Sequence, residues 1–114
     1  MSVEIGFENQ VVLVTGGATG LGFATATVFG KAGARIALND LDGDRASHAC
    51  QQLAADGISA RPFPADIRDA IGIQRMIGEI EQSMGPTDVL VANAGVYPVS
   101  SFLEMAERTA AEFG

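Results

Sequence analysis

The sequence predicts an α/β fold, a parallel sheet wound with helices on both of its faces. Three observations carry this. Short apolar runs rich in β-branched residues alternate with stretches of helical period along the chain. The runs stop at Gly, Pro or Asp, and the first passes at once into a glycine-rich turn that opens a helix. At 47% hydrophobic and 18% charged residues, the composition is that of a globular protein rather than a disordered or fibrous one.

Val11-Val-Leu-Val-Thr15, bounded by Gly16 and Gly17, reads as a strand buried on both faces. Leu21, Ala24, Val28, Phe29 and Ala32 then recur at helical spacing, and Gly33 stands where a helix stops. Arg35 to Asn39 forms a second strand. Asp42 or Asp44 caps the next helix, whose apolar face is Ala46, Ala49, Cys50 and Leu53, and Gly57 closes it. Ile58 to Phe63 is a weaker third strand, and Pro62, which lacks an amide donor, assigns it to a sheet edge. Asp69 caps a third helix through Ile73, Ile77 and Ile80, ended by Gly85-Pro86; Gly72 and Gly78 inside it each cost about 1 kcal/mol relative to Ala. Val89 to Ala92 is the fourth strand. Beyond Val96, Ser100 or Ser101 is expected to cap a short helix carrying Phe102, Leu103 and Met105.

Four strands with three crossover helices make one half of a doubly wound, Rossmann-like sheet of order 3-2-1-4. No repeat or linker divides the 114 residues, so a single domain is expected, too short for a complete two-halved fold.

Charge and composition narrow the function. Fourteen acidic against seven basic residues give a net charge of -7 without a basic cluster, which argues against nucleic acid. No apolar run is long enough to span a bilayer, and Met1 to Gln10 lacks the pattern of a signal peptide, so a cytoplasmic protein is expected. Cys50, the single cysteine, excludes an internal disulfide and CxxC sites; at an apolar helical position it reads as a core residue. His48 falls on the polar side of its helix and reads as solvated.

The chemistry concentrates in Thr15-Gly-Gly-Ala-Thr-Gly-Leu-Gly22. Joining strand to helix, it points unpaired amides and the positive end of the helix dipole at one spot, which suits an anion. Gly16 lets the chain turn, Gly20 lets a pyrophosphate approach, and Gly22 lets the helix pack close to the sheet. No Gly-Lys-Ser/Thr follows, which excludes a P-loop, and the spacing is not GxGxxG. Asp40 stands directly after the second strand, about 20 residues beyond the turn, where a carboxylate accepts from ribose hydroxyls and selects NAD over the 2′-phosphate of NADP.

The turn matches TGxxxGxG, and the chain resembles the short-chain dehydrogenase/reductase family, in its compact branch, up to about Pro98. The resemblance implies that Thr19, Leu21 and Leu41 line the nucleotide; neither Thr19 nor Leu41 is the basic residue that NADP-preferring relatives carry nearby. It implies that Asp66 and Ile67, after the third strand, contact the adenine. Asn93-Ala94-Gly95, ending the fourth strand, resembles the Asn-Asn-Ala-Gly motif with Ala92 in place of its first Asn; Asn93 would tie strands together while Ala94 and Gly95 leave room for the cofactor.

The same resemblance implies a catalytic Ser, a Tyr and a Lys four residues after it. None is found in this pattern: Tyr97 is followed four residues on by Ser101, and Lys31 lies in the first helix. The expectation is therefore an NAD-binding portion of an alcohol/carbonyl oxidoreductase, with no catalytic residue and no turnover by this chain alone, or a non-catalytic nucleotide-binding or assembly module. The fourth strand is expected as an unpaired edge, favouring a homo-oligomer or a complementing chain.

Overall fold

The computed structural model describes residues 6–92 and, for residues 95–98, the backbone. A five-stranded sheet of order β3-β2-β1-β4-β5 is built from β1 (Val11–Val14), β2 (Arg35–Asp40), β3 (Ala60–Pro64), β4 (Thr87–Ala92) and β5 (Gly95–Pro98). Helices α1 (Gly20–Lys31), α2 (Gly43–Ala55) and α3 (Ala70–Met84) connect the first four strands, which pair in parallel. The predicted 3-2-1-4 order and its helical crossovers are thus present.

Side-chain alternation along the central strand distributes the core. Val12 and Val14 join Ile36, Leu38 and Val91 under α1 and α2, whose Ala26, Ala49, Cys50 and Leu53 close that side. Val11 and Leu13 face the other way, with Ala37 and Leu90, onto Ile73, Ile77 and Ile80 of α3. Every residue of β1 is buried, as a central strand covered on both faces requires. Asp42 and Asp69 serve as N-caps, Asp42 accepting from the amides of Asp44 (2.9 Å) and Arg45 (3.2 Å), Asp69 from that of Ile71 (3.1 Å).

Three expectations need correction. The first helix forms, but its predicted apolar stripe is inward only in part: Phe29 packs against the core, whereas Leu21 and Val28 are 74% and 67% exposed, Ala24 is exposed, and Ala26 is the one fully buried residue. Small residues at Gly22, Ala26 and Gly30, four apart, form the inward side: a Cβ on Gly22 would strike the backbone of Gly16 and one on Gly30 the side chain of Ile58. The third strand starts at Ala60; Ile58 instead donates its amide to the Leu53 carbonyl at the end of α2 (3.0 Å) and is buried beneath α1. It does occupy the sheet edge, as Pro62 demanded.

The fourth strand is not an edge. Gly95 opens β5, which folds back antiparallel on β4 with Ala92 opposite Gly95 and Val89 opposite Pro98. Backbone donors and acceptors along β4 would otherwise have no strand partner on that side, and the segment that follows supplies them. Gly95 is therefore the first residue of a returning strand rather than the end of the fourth. The reason for expecting association through β4 falls with this. Asn93, Ala94 and the expected helix after Ser100 lie outside the described residues.

Candidate nucleotide-binding site

The strand order reverses between β1 and β4, because the chain proceeds from β1 to β2 and β3 on one side and reaches β4 on the other. In a sheet of this kind, helices diverge at such a point and leave a crevice beyond the carboxyl ends of the strands. A small hollow of about 40 Å³ lies there, lined by Val14 and Thr15 of the first strand and its exit, Val91 and Ala92 of β4, and Leu21, Gly22 and Thr25 of α1. Thr15 continues the pairing past β1 by donating its amide to the Val91 carbonyl at 3.0 Å.

Above this point the glycine turn is open. Gly16 (φ 59°) and Gly20 (φ 57°) adopt the left-handed conformation, and a methyl group built on either would meet no atom within 4 Å among the described residues beyond its chain neighbours. The cradle they shape is free to receive a ligand's oxygens. Gly22 is constrained differently. A Cβ there would stand 2.8 Å from the Gly16 carbonyl carbon, closer still to its oxygen, and 3.0 Å from the Gly17 Cα. Gly22 is thus required by the approach of the helix to the turn itself, where close packing against the sheet was expected.

α1 is the one helix of the three without a side-chain cap among the described residues: Thr19 has the extended backbone of an N-cap (φ -141°, ψ 159°), yet its side chain makes no capping bond. No acidic residue lies in its first turn. The amides of Gly20, Leu21 and Gly22 at this end lack the partners that Asp42 and Asp69 provide elsewhere, which leaves donors and a positive dipole end facing the crevice.

Asp40 closes β2 on the other side of the turn. The residue is 6% exposed; Arg45 Nη2 donates to its Oδ1 at 3.4 Å and forms an ion pair with its Oδ2 at 3.2 Å, and Oδ2 accepts no hydrogen bond from the other described residues. A buried carboxylate whose two oxygens share a single nitrogen is costly unless another donor reaches it. Two vicinal hydroxyls of a ribose are such donors. An Asp40 carboxylate at the strand tip, met by Arg45 Nη2 alone among the described side chains, and an open glycine cradle thus fit an adenine dinucleotide.

Leu41 and Ile67, 64% and 43% exposed, follow the tips of β2 and β3 and present apolar surface there. Asp66 is differently engaged from what was expected of it. Its Oδ1 accepts from the Arg68 amide (2.9 Å) and Nε (3.0 Å), its Oδ2 from Arg68 Nη2 (2.9 Å), and this paired guanidinium lowers its pKa to about 2. The carboxylate shapes its own loop.

Two residues of this region were not anticipated. Asn39, 1% exposed within β2, donates its Nδ2 to the carbonyls of Phe63 (3.0 Å) and Ala65 (3.1 Å) and so holds the loop bearing Asp66 and Ile67 against the tip of β2. A polar amide inside an apolar strand run was the signal. Arg45 was missed because it lies five residues from Asp40 and only the first turn of α2 brings them together. Burial raises the Cys50 thiol to about 11, as befits the inert core residue expected.

Comparisons with known proteins agree with this geometry. The chain is 40% identical to 5-keto-D-gluconate 5-reductase of Escherichia coli over 97 residues, which cover 85% of this chain and 38% of that protein. Among solved structures it is similar to 2-keto-3-deoxy-D-gluconate dehydrogenase from Streptococcus agalactiae (36% identity, TM-score 0.74, 82% of this chain and 35% of that one). It is also similar to L-sorbose reductase from Gluconobacter frateurii complexed with NADPH and L-sorbose (31%, TM-score 0.75, 82% and 36%). The chain therefore spans about 38% of the length of the reductase it matches. The short chain dehydrogenase family model matches residues 10–113, and with the glycine turn, the strand order and these relatives in agreement, the chain belongs to that family.

Proposed function

We propose that this chain is the NAD-binding portion of an oxidoreductase that moves hydride between an alcohol and a carbonyl compound. The observation that carries the choice of NAD is Asp40, a buried carboxylate at the tip of the strand beside the glycine turn, met by a single Arg45 nitrogen among the described side chains. A ribose diol satisfies both of its oxygens, whereas a 2′-phosphate brings a second negative charge. Amides at the start of α1 hold the diphosphate, with Gly16 and Gly20 giving it room. Thr19, Leu21 and Gly22 border it, and Leu41 and Ile67 flank the adenine with apolar surface. Asp66 reaches the adenine only by exchanging its bonds to Arg68; otherwise the neighbouring backbone makes that contact. Asn93, Ala94 and Gly95 are assigned to the cofactor by their resemblance to the family's Asn-Asn-Ala-Gly motif alone.

When bound, NAD supplies the hydride acceptor. This chain binds and orients it but holds no Tyr with a Lys four residues on, so the proposal includes no turnover by the chain alone. Relatives named for keto sugar acids, for L-sorbose and for D-threitol favour a polyol or hydroxy-acid substrate for the whole enzyme.

Titration calorimetry with NAD tests the reading. Binding to the wild-type chain, weakened more than tenfold in Asp40→Asn, is expected, that being about 1.4 kcal/mol of lost interaction. An Asp40→Asn variant that binds NAD as the wild type does would remove Asp40 from the site. Ketone reduction by the pure chain would refute the absence of turnover.

A further inference from the structure

Asn39 stands directly before Asp40, is 1% exposed, and bonds to both neighbours of the β2 tip. On one side its carbonyl accepts from the Gly17 amide of the glycine turn at 2.8 Å. On the other its Nδ2 donates to the carbonyls of Phe63, in β3, at 3.0 Å and of Ala65, just past β3, at 3.1 Å. One residue thus joins the turn, the strand bearing Asp40 and the loop bearing Ile67.

That loop has few other ties. The β2–β3 ladder ends with Asp40 opposite Pro64, which has no amide proton, and β3 is the sheet edge, so no further strand braces its outer side. Past Pro64, the bonds to β2 among the described residues are both at Ala65, whose amide donates to the Asp40 carbonyl at 3.2 Å and whose carbonyl accepts from Asn39. Asp66 bonds to Arg68 within the loop itself. Without the Asn39 amide the loop would keep one backbone bond to β2, and a ligand resting on it would have to order it on binding, at a cost in affinity.

We propose that Asn39 is a positioning residue of the nucleotide site: by fastening Ala65 to the strand that carries Asp40, it fixes the apolar surface of Ile67 relative to the ribose carboxylate and the glycine turn, and so sets the affinity for the adenosine half of the ligand. The proposal rests on the reading of Ile67 as a wall of the adenine site and adds the group that holds that wall before the ligand arrives.

Calorimetry with ADP and with inorganic pyrophosphate, on the wild-type chain and on Asn39→Ser, separates the adenosine side from the diphosphate side, with circular dichroism to verify folding. Serine has one hydroxyl proton on a shorter side chain and cannot replace both bonds. Asn39→Ser should weaken ADP by about tenfold and pyrophosphate by less than about threefold. A purely structural asparagine would weaken both ligands alike or neither, and either result would overturn the proposal. Amide hydrogen exchange on the wild type decides the matter if the variant does not fold. The Ala65 amide and the Asn39 side-chain amide should be protected as well in the free chain as with ADP bound, and protection that arises only with ADP would show that the loop is not held beforehand and overturn the proposal. A wild type that binds neither ADP nor NAD would overturn the nucleotide reading itself, whereas one that binds both, with the ratio of ADP to pyrophosphate affinity unmoved in Asn39→Ser, overturns the role of Asn39 alone.

Discussion

Asn39 donates its side-chain amide to the Phe63 carbonyl at 3.0 Å across the β2–β3 pair, and the same nitrogen reaches the Ala65 carbonyl at 3.1 Å. A single buried side chain thus holds the end of β3 and the start of the loop that leads to Asp66. Asn39→Leu leaves two carbonyls without their donor in an interior site, and each such loss costs about 1–3 kcal/mol. Urea denaturation should show a drop of about 2 kcal/mol or more with an unchanged slope. Asn39→Asp should be worse, because it sets a carboxylate against two carbonyl oxygens. A loss well below 1 kcal/mol in both would refute the role.

Three glycines should answer Ala substitution in three ways. Gly22→Ala places a methyl against the backbone of Gly16 and Gly17, which cannot yield as a side chain does, and should cost about 3 kcal/mol or prevent folding. Gly20→Ala meets open space but forces Ala into a left-handed backbone, at about 1–2 kcal/mol. Gly78→Ala lies in the interior of α3 with nothing within 4 Å and should stabilise by about 0.5–1 kcal/mol. Thermal unfolding of the three variants checks the ranking.

Asp66 should titrate abnormally low. Its partner Arg68 lowers the carboxyl from 3.8 to about 2 in the folded chain, so the contribution to stability is present above the unfolded value and is lost as pH falls through about 2. Carboxyl-carbon NMR should follow a midpoint near 2 in the wild type and one returning toward 3.8 in Arg68→Gln. A wild-type midpoint at the ordinary value would show that the pair does not persist in solution.

Cys50, buried with its thiol raised to about 11, should resist a thiol-specific reagent in mildly alkaline buffer and react fully once the chain is denatured. Rapid labelling of the native chain would place α2 away from the sheet.

The sequence by itself determined the order of the first four strands and the three helices between them, the cap at Asp69, a cap for the second helix at either Asp42 or Asp44, the edge position of the strand containing Pro62 and the place of Asp40 at the tip of the second strand. Each depends on neighbours within a few residues, on period, or on a residue's missing donor, all of which are local properties. Tertiary structure alone decided which stripe of α1 is inward, because Gly22 meets the glycine turn and Gly30 meets Ile58 too closely for larger side chains on that side. It decided that β5 covers the flank of β4, that Asn39 links two strands, that Asp66 turns to Arg68, and that Arg45 meets Asp40. Such relationships follow from which backbone and side-chain groups are left needing partners once the elements pack, and no spacing along the chain records that need.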